Sequence, residues 1–183
     1  MKKIILIGRV AAGKTTLTQA LNGEEIHYYK TQYINYLDTI IDTPGEYTEL
    51  RQTSGALALY AYEADVVGLV LSANEPYSIF SPCITSLVNR EVVGIITGID
   101  KPDANPERVE RWLRLAGCKR IFPVSAYTGE GLDALIEFLA DNEEDLKTIV
   151  GWYNSGAHIC SSSSLRYNKC LEPYYENHYE LGT

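Results

Sequence analysis

Long apolar segments and an excess of basic residues are both missing from this sequence of 183 residues. No uninterrupted apolar stretch approaches the roughly 18–20 residues that a membrane-spanning helix needs. Lys2 and Lys3 precede only a short apolar run, so we expect no signal peptide. Acidic residues outnumber basic ones by 24 to 16, which gives a net charge of -8. This balance argues against nucleic acid or an acidic membrane as the main partner.

Cysteine is scarce, and its spacing follows no pattern. The four cysteines show neither a C-x-x-C pair nor zinc-type spacing: Cys83, Cys118, Cys160 and Cys170. We interpret them as buried or half-exposed thiols in a reducing cytosol, which predicts a cytoplasmic protein. His158 and His178 could in principle join Cys160 and Cys170 in a metal site, but that spacing matches no known pattern.

The composition, 45% hydrophobic and 22% charged, suits one globular domain with a core. Short apolar runs alternate with amphipathic segments, which predicts an α/β fold of three layers, with a mostly parallel six-stranded sheet and helices on both faces. Strands are predicted at 3–7, 32–37, 38–41, 65–71, 92–97 and 120–124, the second and third pairing antiparallel. Helices are predicted at 14–21, between Asn105-Pro106 and Gly117, and at 132–139. Residues 23–29 are predicted as a loop.

The composition changes near Gly151, where a serine run and scattered tyrosines replace the regular pattern. We therefore expect a domain over residues 1–145 and a tail over 146–183 outside the fold. The tail could instead dock on a partner.

The first site motif is Gly8-Arg9-Val10-Ala11-Ala12-Gly13-Lys14-Thr15, or G-x-x-x-x-G-K-[ST], placed after a strand and opening a helix. Its glycines let backbone N–H groups approach phosphate oxygens, and Thr15 and Thr16 lie at a helix N-terminus that favours an anion. We expect Lys14 to reach the β- and γ-phosphates and the Thr15 hydroxyl to bind Mg²⁺. Arg9 is interpreted as a solvated side chain rather than a catalytic finger.

Two further segments extend the phosphate site. Asp42-Thr43-Pro44-Gly45 ends a predicted strand, where the carboxylate can hold magnesium through water and the Gly45 amide can bind the γ-phosphate. By itself this pattern is also ordinary turn chemistry. The hydroxyl of Thr31 can complete the magnesium shell when the γ-phosphate is present, which would make a nucleotide-dependent switch.

The base is expected at the end of the fifth strand, where Asp100 in Thr97-Gly98-Ile99-Asp100 can accept from the N1–H and amine of guanine. An alternative for Asp100 is a helix-cap or turn aspartate. Ser125-Ala126, after the last strand, would place a backbone N–H near guanine O6.

The order of these motifs along the chain resembles that of the small P-loop GTPases. Several segments resemble the EutP/PduV family more narrowly: Lys30-Thr31-Gln32, Ile41-Asp42-Thr43-Pro44-Gly45-Glu46-Tyr47, Arg111-Trp112-Leu113-Arg114-Leu115-Ala116-Gly117, Val124-Ser125-Ala126 and Thr128-Gly129-Glu130-Gly131-Leu132. The resemblance covers roughly residues 1–145. It implies a small GTPase-like fold and a role in ethanolamine or propanediol utilisation, with a microcompartment shell protein or enzyme as a candidate partner and microcompartment association as a candidate location.

The sequence departs from the GTPase pattern at two positions. GTPases of this type usually carry lysine where Gly98 stands, and its stem covers the base; Lys101 is nearby but out of register. Glu46 occupies the position of a water-orienting glutamine and would repel the γ-phosphate. We therefore expect weakened guanine preference, with Mg²⁺ and GTP or ATP as cofactors, and slow intrinsic hydrolysis.

Three functions are compatible with these residues. The first is a slow GTPase switch in which Lys14 neutralises phosphate charge, Thr31 closes over the metal and Gly45 senses the γ-phosphate. The second is a phosphotransferase from ATP to a small carboxylate such as acetate, with Arg9 or Arg51 binding the acceptor. The third is a non-catalytic scaffold protein that keeps a nucleotide for stability.

Overall fold

The computed structural model describes residues 1–22, 35–36, 40–42, 62 and 64–140. Its strands are β1 (Ile4–Gly8), β2 (Asn35–Tyr36), β3 (Ile40–Asp42), β4 (Val66–Ser72), β5 (Glu91–Thr97) and β6 (Arg120–Val124). Its α-helices are α1 (Lys14–Leu21), α2 (Pro106–Ala116) and α3 (Leu132–Leu139), and a 3-10 turn covers Ile84–Leu87. No helix in these ranges is long and apolar enough to cross a membrane.

The strands form one sheet in the order β2-β3-β1-β4-β5-β6. β1, β4, β5 and β6, of five to seven residues each, are its main part, while β2 and β3 have two and three residues. The pairs of β1 with β3 and β4, and of β5 with β4 and β6, are parallel; β2 pairs with β3 antiparallel. The carboxyl ends of the parallel strands therefore meet at one edge, where ligands of such sheets bind.

Apolar residues on both faces of the strands explain why helices cover both faces. All five residues of β1 are buried, and alternate ones point to opposite sides. Ile4 and Leu6 pack with α1 and α3, whereas Ile5 and Ile7 pack with α2. The sheet thus separates two hydrophobic cores, which confirms the three-layer α/β architecture.

The helix ends follow the sequence closely. The Asn105 side chain accepts from the Arg108 N–H at 3.0 Å, Pro106 is the first residue of α2, and Gly117 ends that helix with a φ of 104°. The observed bounds of α1, α3 and β6 are the predicted ones. β1 and β4 are shifted by one residue at both ends relative to the prediction, and β5 begins one residue earlier than predicted. The predicted loop 23–29 and tail 146–183 lie outside the described residues.

Candidate functional site

The loop from Gly8 to Thr15, called the phosphate loop below, joins β1 to α1. Two of its residues have left-handed backbones, Ala11 with a φ of 62° and Gly13 with a φ of 83°. A β-carbon on Gly8 would collide with the carbonyl oxygen of Val70 on β4, so glycine alone lets the two strands pair this closely. The loop is therefore shaped by its backbone, as an anion-binding turn requires.

Lys14 is the first residue of α1 and is only 5% exposed. Its Nζ donates to the carbonyl oxygens of Gly8 and Arg9, each at 2.8 Å. No side chain caps α1, and no acidic residue stands in its first turn. A cation at the positive end of the helix dipole is unfavourable without an anion, so this helix start is suited to bind one.

Thr97, the last residue of β5, joins the phosphate loop to the neighbouring turn. Its hydroxyl donates to the carbonyl oxygen of Ala12 at 2.6 Å, and a β-carbon on Gly13 would lie 3.2 Å from the same hydroxyl. The sequence shows Thr97 within the base motif but not this bond, because its two partners lie 85 positions apart. The two halves of the predicted nucleotide site are thus held together.

Arg9, interpreted from the sequence as a solvated side chain, is partly exposed and also has contacts within the protein. Its guanidinium pairs with Glu75 at 3.4 Å, lies 5.2 Å from the ring of Tyr77, and its side chain is 33% exposed. The Glu75 carbonyl oxygen in turn accepts from Arg108 at 2.6 Å. Glu75 was missed because nothing in the local sequence marks it, and the contact shows Arg9 anchoring the phosphate loop to the segment after β4.

The predicted base-binding residues follow β5 and β6. Gly98 has a φ of 65°, and Asp100 is exposed. Of the alternatives for Asp100, the helix cap does not hold, because Asn105 caps α2, but Asp100 does lie in a turn, which the Lys101 N–H closes on the Gly98 carbonyl at 3.2 Å. Ser125 is buried, its N–H donates to the Glu130 carbonyl at 2.9 Å, and its hydroxyl accepts from the Thr128 N–H at 3.1 Å. Because Ser125 is used within its own turn, Ala126 is the better source of the expected N–H.

The predicted metal ligands are only partly described. Asp42 ends β3 opposite Leu6 in the parallel register, which brings its backbone beside β1 just before the phosphate loop. Thr31 and Gly45 lie outside the described residues, and Thr15 is the second residue of α1. Among the described residues, no group of three or more His, Cys, Asp or Glu side chains could hold a metal.

The remaining residues of the predicted phosphate site surround these contacts. Val10 and Thr16 are half-buried, and Ala12 is buried. A parallel sheet with helices on both faces, and a G-x-x-x-x-G-K-T loop at its carboxyl edge, define a P-loop NTPase of the small GTPase-like class.

Comparison with known proteins agrees with this class and narrows it. The model of the ethanolamine utilisation and propanediol utilisation family, PduV-EutP, matches residues 1–141. The chain belongs to this family, which confirms the resemblance found in the sequence.

Individual relatives support the assignment. The chain is 46% identical to propanediol utilization protein PduV of Citrobacter freundii, over 81% of this chain and 99% of that protein. It is 32% identical to the probable acetate kinase EutP of Escherichia coli, over 76% of this chain and 90% of the other. A crystal structure of an Era variant from Aquifex aeolicus bound to GDP and AlF4⁻ matches in fold, with a TM-score of 0.57 and 24% identity. That match covers 78% of this chain and 59% of the Era chain.

Proposed function

We propose that this protein binds a purine nucleoside triphosphate with Mg²⁺ and hydrolyses it slowly, as a GTPase switch in ethanolamine or propanediol utilisation. The observation that carries the proposal is the hydrogen bond that the Thr97 hydroxyl donates to the Ala12 carbonyl oxygen, with a length of 2.6 Å. This bond joins the phosphate loop to the end of β5, directly before the turn with Asp100, which supports a single ligand whose polyphosphate contacts the loop and whose base contacts the turn. The expected location is the cytoplasm, with a microcompartment shell protein or enzyme as the candidate partner.

The chain's own groups have separate tasks in this proposal. Backbone N–H groups of the phosphate loop and of Thr16 bind the phosphate oxygens, and Lys14 neutralises the phosphate charge. Mg²⁺, when bound, would neutralise the β- and γ-oxygens further. Thr15, with Thr31 and Asp42, would hold that ion. Asp100 would accept from guanine, and the Ala126 N–H, following Ser125, would donate to O6.

Hydrolysis is expected to be slow because Glu46 stands where a neutral water-orienting side chain would help. A carboxylate near the γ-phosphate repels it electrostatically. Gly45 would sense the γ-phosphate and Thr31 would close over the metal, which gives two loop conformations, one for each nucleotide state.

Phosphoryl transfer to acetate is the second candidate, favoured by one observation: a relative at 32% identity is named a probable acetate kinase. Arg9 was a possible acceptor-binding residue for this reaction. The Arg9 guanidinium forms an ion pair with the Glu75 carboxylate at 3.4 Å. The carboxylate of an acceptor would therefore have to compete with Glu75 for Arg9. We therefore rank transfer below hydrolysis.

Calorimetry with GTP, GDP and ATP in the presence of Mg²⁺ tests the nucleotide site. The products then separate the reactions: inorganic phosphate release independent of acetate supports hydrolysis, and acetyl phosphate, trapped by hydroxylamine, supports transfer. A triphosphate that binds tightly but never turns over would support the scaffold alternative. A folded protein that retains neither GTP nor ATP at millimolar concentration would contradict all three.

Substitution of Lys14 is the most direct test of triphosphate binding by the phosphate loop. Lys14→Ala is expected to reduce triphosphate affinity below detection, because the buried ammonium is removed from the phosphate loop. Lys14→Met keeps most of the stem volume and should have the same binding defect with a smaller effect on thermal unfolding. The exposed Lys119, replaced by alanine, is the matched control and should bind as the unchanged protein does. Normal triphosphate binding by Lys14→Met would contradict the assigned role.

A further inference from the structure

Lys101 lies against the turn that carries Asp100. A β-carbon on Gly98 would lie 2.9 Å from Cε and 3.2 Å from Cδ of Lys101. The Lys101 N–H donates to the Gly98 carbonyl at 3.2 Å, which closes a tight turn and brings the side chain back over Gly98. The space beside residue 98 is therefore filled by the stem of Lys101, although its sequence position is out of register.

A chain of hydrogen bonds holds this stem in place. Lys101 Nζ donates to the hydroxyl oxygen of Ser72 at 3.2 Å, and that hydroxyl donates to Asn74 Oδ1 at 2.7 Å. Asn74 Nδ2 then donates to Asp103 Oδ2 at 3.2 Å. All three bonds run in the same direction, from an ammonium to a carboxylate, so each strengthens the next. Ser72 is 4% exposed and gives the chain a fixed anchor.

We propose that Lys101 supplies the surface on which the flat face of the purine base rests, an inference that depends on the proposed nucleotide site. Its methylene stem is apolar and its ammonium is held to one side, which is how a lysine presents a surface to an aromatic ring. Stacking of this kind is tolerant of the base, because every base has a π-face. Lys101 would then set the affinity for purines, while Asp100 at the ring edge sets the choice between them.

The test separates base contacts from phosphate contacts. Calorimetry with Mg²⁺ measures GTP, ATP and inorganic tripolyphosphate, which has no base. Lys101→Ala is expected to weaken the binding of GTP and ATP by the same factor, about tenfold for the lost burial of about two methylene groups, and to leave tripolyphosphate binding unchanged. Asp100→Asn should instead change the ratio of GTP to ATP affinity.

Two further variants distinguish the stem from the charge. Lys101→Met keeps a stem of similar length without the ammonium and should restore most of the lost nucleotide affinity. Ser72→Ala removes the hydroxyl that holds the Lys101 ammonium. It should weaken the binding of GTP and ATP less than Lys101→Ala does, and should leave tripolyphosphate binding unchanged. Lys119→Ala removes an exposed lysine elsewhere and should change none of the three affinities.

Several outcomes would overturn the inference. An equal loss of affinity for tripolyphosphate and for nucleotides in Lys101→Ala would show that Lys101 attracts phosphate in general and does not contact the base. An unchanged GTP affinity in Lys101→Ala would show that Lys101 does not contact the base. Either result leaves nucleotide binding by the unchanged protein intact. Failure of the proposed function is different, because the unchanged protein would then bind neither GTP nor ATP.

Discussion

Two cysteines of the described residues lie in opposite environments. Cys83 is exposed, which corrects its prediction as a buried or half-exposed thiol. Cys118 is only 2% exposed, as predicted, and packs in the core between the sheet and α2. Burial raises the pKa of the Cys118 thiol from 9.0 to about 11, against a smaller opposing effect of the nearby Arg114. Since the thiolate is the nucleophile, Cys118 is protected both by the fold and by its protonation.

Alkylation by iodoacetamide at pH 8 is expected to label Cys83 in the folded protein long before Cys118. A pKa higher by two units lowers the thiolate fraction about a hundredfold, because each unit is tenfold. Mass spectrometry of the tryptic peptides measures both rates, and in urea the two should converge. The raised pKa also means that this group's contribution to stability is present below pH 9 and lost as the pH rises towards 11. Equal labelling in the folded state would contradict the described burial.

Individual residues differ in how far the sequence reveals them. Lys14 was predicted because its motif, preceding strand and following helix are all local. The partners of Arg9 and Thr97 were not, because Glu75 and Ala12 are brought to them only by the fold, across 66 and 85 positions. The nucleotide- and metal-binding roles of all the predicted site residues, described or not, remain predictions.

At the scale of elements, the two helices nearest the site begin in contrasting ways. α2 has an asparagine cap, a proline at its first position and Glu107 in its first turn. α1 has neither a side-chain cap nor an acidic residue at its start. The N-terminus of α2 is therefore capped by its own side chains, and the N-terminus of α1 is where the proposed function expects the phosphates.

Asn105→Ala is expected to lower the free energy of unfolding by about 1 kcal/mol, because the Arg108 N–H loses its acceptor. Urea denaturation measures the change. Asn89→Ala, at an exposed position before β5, is the matched control and should fall within about 0.5 kcal/mol of the unchanged protein. Equal effects of the two substitutions would show that the cap contributes nothing.

Element boundaries were predictable where local signals are strong. The start of α2 follows from Asn105-Pro106, and its end from Gly117, which has the left-handed conformation. The strands predicted at 32–37 and 38–41 are described only at Asn35–Tyr36 and Ile40–Asp42. The other residues of the two predicted strands lie outside the described ones, so those bounds stay predictions.

At the scale of the whole molecule, the sheet divides the interior into two cores. Leu113 on α2 belongs to one, and Ile136 on α3 to the other. The alternation of strands and helices predicted this layering, since strands buried on both faces need a helix on each side. The domain limit at residue 145 and the tail 146–183 stay predictions.

Leu113→Ala and Ile136→Val should destabilise the fold by about 2–5 and 0.5–1.5 kcal/mol respectively. Because the sheet separates the two sites, the double variant should equal their sum within about 0.5 kcal/mol. Leu113→Ala combined with Val109→Ala, one turn apart on α2 in the same core, should depart from additivity by more. Denaturant unfolding measures all of these, and strong coupling across the sheet would contradict two separate cores.

The bond between Thr97 and Ala12 has a kinetic consequence. In the proposed nucleotide site, the phosphate loop and the end of β5 are already joined before a ligand arrives. Binding does not have to order these two segments relative to each other, so little conformational entropy is lost in that step. The proposed ligand can then bind without a rearrangement of the phosphate loop relative to the end of β5. Its dissociation rate depends on the contacts that the ligand itself makes.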